Sequence, residues 1–291
     1  MYTLIAENKY GQQLELTHND AYVIESIDGI DPPDAVINTT KNANADGSVF
    51  NSSYVSNRQI IITLAINGPA EENRIQLYRY FKNKYPVRLY YKNGSRDVYI
   101  DGYVKQTQIE FFQRKQIAQI TIICPQPYFN GVEDSITDFS TVESLFEFPF
   151  SVEEHVEEGD DYDGTIEFSR ILVNEETNVI NAGDIDTGAL IELRAVGAVV
   201  NPVIYNVDTG EFFKITVTMA AGDVIRISTV RKEKSVYIIS QGVRTNLIGS
   251  LVYGSTWLQF VPGDNTILID AETTPENLLS EICIVNRFEG V

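Results

Sequence analysis

Two cysteines and two histidines among 291 residues leave little material for thiol or metal chemistry. Cys124 and Cys283 stand far apart and are flanked by β-branched or apolar residues. They read as small buried hydrophobes, not as a disulfide or a reactive pair. His18 and His155 lack a second ligand at metal spacing, and neither belongs to an HExxH run, so no metal site is expected. The GxSxG elbow, the GxxxxGKS/T phosphate loop and the GxGxxG loop are all missing. Nucleophilic, zinc-dependent and nucleotide-dependent reactions therefore lack their usual parts, and we expect neither a catalytic residue nor a cofactor. No apolar run approaches the roughly 18 residues that cross a membrane. The opening Met1-Tyr2-Thr3-Leu4 has no basic segment leading into an apolar one, so the expectation is no signal peptide and folding in a cytoplasm.

Positive charge is also scarce, with 22 Lys and Arg against 41 Asp and Glu, for a net charge of −19. The deficit is local. Residues 1–130 hold 13 acidic and 13 basic side chains, so the whole excess falls in residues 131–291. An acidic surface repels a nucleic acid backbone, which argues against DNA or RNA as a partner.

What is present points to sheet. Hydrophobic residues make up 43% of the chain and charged ones 22%, enough apolar material for a filled core. The chain has 16 Tyr and 14 Phe, which suit half-buried strands and polar interfaces. Period-two alternation marks strands at Ile60 to Ile66, Val87 to Tyr91 and Val98 to Val104. Asn93-Gly94 lies between the last two and suggests a tight turn with positive φ. A second hairpin is expected from Thr107 to Cys124, turning near Gln113-Arg114-Lys115.

One helix is expected after Asn67-Gly68-Pro69. Glu71 and Glu72 would complement its positive end, Lys82 and Lys84 its negative end, and Ile75, Tyr78 and Phe81 would form an apolar stripe. Pro86 would stop it. The polar segment Thr39 to Asn57 reads as a loop that is mobile or ordered by a partner. The boundary between two domains is placed near Asn130-Gly131, giving residues 1–130 and 131–291. The second begins with an acidic linker containing Glu153, Glu154, Glu157, Glu158, Asp160, Asp161 and Asp163. Asp161-Tyr162-Asp163-Gly164 has the look of a calcium loop but lacks the later glycine and distal Glu; a solvated linker is the simpler reading.

Beyond it, strands are expected at Ile166 to Val173, Leu190 to Val196, Phe212 to Met219, Val224 to Val230, Val236 to Ser240, Leu258 to Val261 and Ile267 to Ala271. Turn sequences such as Asp208-Thr209-Gly210 and Ala221-Gly222-Asp223 separate them. The fold class is mainly β, with a sandwich-like first domain bearing one helix and long hairpins, and a jelly-roll sandwich after it.

The order of several short stretches resembles a known family. A helix after Ile66-Asn67-Gly68-Pro69 is followed by Tyr85-Pro86-Val87-Arg88-Leu89-Tyr90-Tyr91, and then by Ile123-Cys124-Pro125-Gln126-Pro127-Tyr128-Phe129. This series is similar to the first domain of distal tail (Dit) proteins from siphophages of Gram-positive bacteria. Asn181-Ala182-Gly183-Asp184, Asn201-Pro202 and Trp257 with Pro262-Gly263-Asp264-Asn265 resemble that family's galectin-like second domain.

The resemblance implies a homo-hexameric ring, possibly stacked, that joins the tail tube protein to the tail-associated lysin or spike and to receptor-binding proteins. It implies a virion protein of the tail tip, assembled in the host cytoplasm, with residues near Glu281 to Val291 returning to the first domain. Candidate contacts between subunits or with partners are Arg74, Tyr78, Lys82, Asn42, Asn44 and Asn51. Galectins read sugar through H-x-N-P-R and W-x-x-E; Val199, Val203 and Phe260 stand at three of the polar positions, which removes the usual sugar contacts. The competing function is a carbohydrate- or receptor-binding module on the host wall, with Trp257 as its sugar-stacking residue. An enzyme acting on wall polymers would need one specific carboxylate pair, which abundant Asp and Glu do not single out.

Overall fold

A computed structural model of the protein describes residues 2–42, 46–110, 115–139, 141–144, 169–172 and 176–291. The acidic linker cluster, His155, the Asp161–Gly164 loop and Asn44 lie outside the described residues. The chain forms two compact units: Met1–Asp134 with Gly183–Ile185 and Asn286–Val291, and Ser135–Ala182 with Asp186–Val285.

The first unit runs β1 (Thr3–Asn8), β2 (Gln13–Glu15), β3 (Tyr22–Asp28), β4 (Ala35–Lys41), β5 (Ser48–Val55), β6 (Arg58–Ile66), α1 (Ala70–Tyr80), β7 (Pro86–Lys92), β8 (Asp97–Ile109), β9 (Gln116–Cys124) and β10 (Phe129–Gly131). The second contains β11 (Ser135–Asp138), β12 (Thr141–Ser144), β13 (Ser169–Leu172), β14 (Thr177–Asn181), β15 (Ala189–Ala195), β16 (Val199–Asn206), β17 (Glu211–Lys214), β18 (Thr218–Met219), β19 (Val224–Ser228), β20 (Ser235–Ser240), β21 (Val243–Asn246), β22 (Gly263–Thr273) and β23 (Leu278–Ile284). A last strand, β24 (Arg287–Phe288), belongs to the first unit.

Nine strands of the first unit form one antiparallel sheet in the order β2-β1-β7-β8-β9-β6-β3, with β10 and β24 paired beside β8. Alternation explains its core. Leu4 and Ala6, Leu89, Val98 and Ile100, Ile120 and Ile122, and Ile60, Ile62 and Leu64 all point inward and are buried. The helix closes this core through Leu77, with Phe81 just after its end; of the expected stripe Ile75, Tyr78 and Phe81, only Phe81 is buried. Ile75 is 42% exposed and Tyr78 40% exposed. The inward face needs residues spaced by three or four around Leu77, and Ile75 and Tyr78 fall on the other side of the wheel. The helix also ends earlier than Pro86 requires, at Tyr80, so Arg79 occupies the last turn and Lys82 and Lys84 follow it.

The β7–β8 hairpin forms where expected, but by different turn chemistry. Neither Asn93 nor Gly94 has positive φ. Instead Asn93 Oδ1 accepts from the backbone N–H of Ser95 at 2.9 Å and of Arg96 at 2.8 Å, while Asn93 N–H donates to Arg96 O. The segment Thr39 to Asn57 corrects the loop reading outright: β4 and β5 pair as a two-stranded ladder from Ala35↔Val55 to Lys41↔Ser48, with a bulge at Asn38/Thr39. The alternation of Val49, Phe50, Tyr54 and Val55 is masked in the sequence by the Asn, Ser and Gly around them.

One buried arginine ties the first unit together. Arg58 opens β6 and donates to Gly29 O at 2.7 Å, Asp31 O at 2.8 Å, Pro127 O and Glu289 O, with Phe129 stacked on its guanidinium. Burial lowers its pKa from the usual arginine value, yet each donor has a carbonyl. Gly29 carries φ +84°, and a Cβ there would sit 2.0 Å from Gln59 O; only glycine fits that approach.

The second unit is a sandwich. A six-stranded sheet, β11-β23-β15-β19-β20-β21, faces a five-stranded one, β14-β22-β16-β17 with β18 beside β16. Their inner faces, including Ile191, Leu193, Ile225, Ile227, Ile282, Ile204, Phe213, Ile267 and Ile269, share one core. Two expectations change here, and one strand stands where none was expected. Leu258 to Val261 makes no strand: Leu258 and Phe260 are fully buried, but only Phe260 bridges, to Thr187. Phe212 to Met219 splits into β17 and β18. Conversely, β16 runs through Asn201-Pro202, where Asn201 adopts φ 52° and its N–H turns to Val217 O, so proline occupies a kinked point of the ladder.

Candidate docking surfaces

The β4–β5 hairpin is the most exposed element of the first unit. Every residue of β4 and all but Val55 of β5 are exposed, so both faces meet solvent. On one face Ile37 is 63% exposed and Phe50 61% exposed, each beside a small polar neighbour across the ladder, Ser53 and Thr39. On the other, Asn38 Nδ2 donates to Ser52 Oγ at 3.0 Å and Asn51 Nδ2 to Thr40 Oγ1 at 2.6 Å. A lone two-stranded ribbon is marginal in water, and paired apolar side chains left on it are unusual unless something covers them.

Of the candidate contact residues, Asn51 therefore sits on β5 in a cross-strand bond and Asn42 just beyond β4, exposed. Tyr78 is exposed on the outer side of α1, and half-buried Arg74 approaches Glu71 at 3.5 Å. Lys82 follows the helix and lies 4.9 Å from the Tyr85 ring centroid. The structure places Asn51 on the hairpin and Asn42 just past the end of its first strand, and the other three on or just past α1. The exposed apolar residues of the hairpin were not among the candidates, because the polar residues around them hide the period.

Chemistry is thin. Among the described residues no group of three His, Cys, Asp or Glu could hold a metal. His18 is exposed and approaches Glu15 at 3.1 Å. Burial pushes the Cys124 thiol up to about 12, which keeps it protonated and inert; Cys283 is only half-buried. Trp257 packs on the second core, its ring 5.2 Å from Phe213, with the Lys234 ammonium over it at 5.6 Å. Val199 and Phe260 belong to the second core and Val203 is buried next to Ile204 on β16, so none of the three positions offers a polar group to a sugar. No helix among the described residues is long and apolar enough to cross a membrane.

Comparison with known proteins agrees with this architecture. Residues 9–124 match the phage tail protein RIFT-related domain, and residues 182–278 match the siphovirus-type tail component, C-terminal domain. No curated protein matches the chain significantly. Among solved structures, the Dit (gp 19.1) protein of phage SPP1, described as a paradigm of hub adsorption apparatus in phages infecting Gram-positive bacteria, superimposes with a TM-score of 0.68 at 13% identity, covering 99% of each chain. A chain of the phage P2 baseplate in its activated conformation aligns with a TM-score of 0.50 at 12% identity, covering 100% of each. Two family domains matched in order, one on each unit, show that the chain belongs to the siphophage distal tail (Dit) protein family and is a structural component of the phage tail.

Proposed function

We propose that the protein is a non-catalytic hub: six copies form a ring through the first unit, joining the tail tube to the tail-associated lysin or spike and to receptor-binding components at the tail tip. The second unit is a galectin-like sandwich without the galectin sugar contacts. The β4–β5 hairpin carries this reading. A ribbon with Ile37, Val49, Phe50 and Tyr54 in solvent gains most of its stability by lying on another protein surface, and a neighbouring copy is always at hand in a ring. The near-neutral charge of residues 1–130 lets copies approach without repulsion, whereas two strongly acidic surfaces would not.

Mass photometry and light scattering on the purified chain test the proposal. The wild type is expected to populate a six-subunit species with rising concentration. The double variant Ile37→Asp, Phe50→Asp shifts it to monomer while the melting temperature of the core stays within about 2 °C, since both side chains lie outside it. A double variant that assembles as well as the wild type would remove the hairpin from the interface.

A further inference from the structure

The six-stranded sheet of the second unit carries a groove of about 400 Å³ lined by residues of β15, β19, β20 and β23, Trp257 not among them. Register brings four side chains into one row across adjacent strands. Glu281 on β23 stands opposite Glu192 on β15, Glu192 opposite Arg226 on β19, and Arg226 opposite Tyr237 on β20. One step along the strands, exposed Leu190 stands opposite Ser228.

We propose that this groove binds a saccharide of one or two rings that is neutral or carries an amino group. Sugars need an apolar ring or aliphatic patch for their C–H faces, and planar polar groups that can hold neighbouring hydroxyls. Tyr237 and Leu190 supply the first. Arg226 and Glu192 supply the second as a preformed pair at 2.8 Å, with Arg194 holding the other carboxylate oxygen at 3.0 Å. Arg244 packs on the Tyr237 ring with its guanidinium carbon 3.5 Å from the centroid, fixing the ring's position.

An independent observation points to a missing occupant. Ser228 is 9% exposed, and its Oγ is shut off from solvent with no hydrogen-bond partner. A buried hydroxyl left this way costs free energy until something supplies the bond, and a ligand hydroxyl on the groove floor would do so once the Ser228 side chain turns toward it. Charge selects among sugars. Arg226 and Arg194 already neutralise Glu192, while Glu281 takes part in no ion pair among the described residues. The two arginines balance the two carboxylates overall, which favours an uncharged ring, while Glu281, outside those ion pairs, can receive a sugar hydroxyl or ammonium and would repel a phosphate or uronate placed beside it. The volume lies within the range of small-ligand sites, roughly 300–1,000 Å³.

The test is titration of the full chain with glucosamine, glucose, the β-1,4-linked N-acetylglucosamine dimer and glycerol phosphate, read by saturation-transfer NMR and calorimetry. We expect saturable millimolar binding of at least one of the three saccharides, weakened at least tenfold by Tyr237→Ala and by Glu281→Gln. Trp257→Phe should bind like the wild type. Glu281 is exposed, so its variant remains informative if Tyr237→Ala fails to fold. The proposal fails if no saccharide binds saturably, if binding survives in Glu281→Gln, if Trp257→Phe abolishes it, or if glycerol phosphate binds more tightly than every sugar. Ring assembly is measured separately on the same samples, so loss of sugar binding with intact assembly concerns this groove alone.

Discussion

Arg58 shows how much of the first unit depends on a single side chain. Its guanidinium serves Gly29, Asp31, Pro127 and Glu289 at once, joining the β3–β4 connection, the turn before β10 and the last residues of the chain. Arg58→Met would leave four carbonyls without a donor in a place water barely reaches, at a cost of about 3 kcal/mol or more. Arg58→Lys should recover little, because an ammonium on a flexible stem cannot span a fork-shaped set of acceptors. Urea unfolding of the two variants would check both; a loss below about 1 kcal/mol in Arg58→Met would mean that water or neighbouring residues replace the guanidinium. Nothing in the sequence marked Arg58. It opens an ordinary strand, and its acceptors are backbone groups contributed by residues as distant as Glu289, which no side-chain pattern reveals.

At the level of elements, legibility followed how local the determining interaction is. The β7–β8 hairpin was legible because both strands alternate and Asn93-Gly94 separates them. The reason given for its turn was not, since an Asn side chain can cap backbone N–H groups with φ negative throughout. The two readings predict opposite sensitivities. Asn93→Ala removes the acceptor for Ser95 and Arg96 and should cost about 1 kcal/mol. Gly94→Ala should be nearly neutral, because φ is not positive there and an added Cβ meets nothing within 4 Å. Calorimetry showing Gly94→Ala as the more damaging change would restore the positive-φ turn. The helix illustrates a different limit: its existence was fixed by punctuation and charge, but which side faces inward depends on β1 and β6, against which it packs. Likewise the candidate surface was legible as a region, Thr39 to Asn57, and illegible as a ribbon, because polar residues on both faces of an exposed hairpin hide its period. The groove residues were passed over for the opposite reason. Glu192, Arg226, Tyr237 and Glu281 are unremarkable along the chain, and only β15, β19, β20 and β23 lying side by side bring them together.

At the scale of the whole molecule, a return of residues near Glu281 to Val291 to the first domain was implied by the family resemblance alone, and nothing in the sequence pointed to the short Gly183–Ile185 segment. The first unit is assembled from three separate segments, the last being Asn286–Val291. That segment is well anchored: β24 pairs with β10, Glu289 O receives Arg58, Gly290 O receives Arg96, and the Val291 N–H donates to Ile30 O at 3.3 Å. Removing residues 286–291 should therefore destabilise the first unit by about 2–5 kcal/mol, counting several buried hydrogen bonds at about 1 kcal/mol each. The second core, whose strands end at Ile284, should melt unchanged. Two-transition calorimetry with limited proteolysis separates these effects. Early cleavage confined to residues 1–134 would agree with the strap acting as part of the first unit. Equal loss in both units would mean instead that the two cores unfold as one cooperative body, and stability in the first unit would then be set by the sandwich as much as by Arg58.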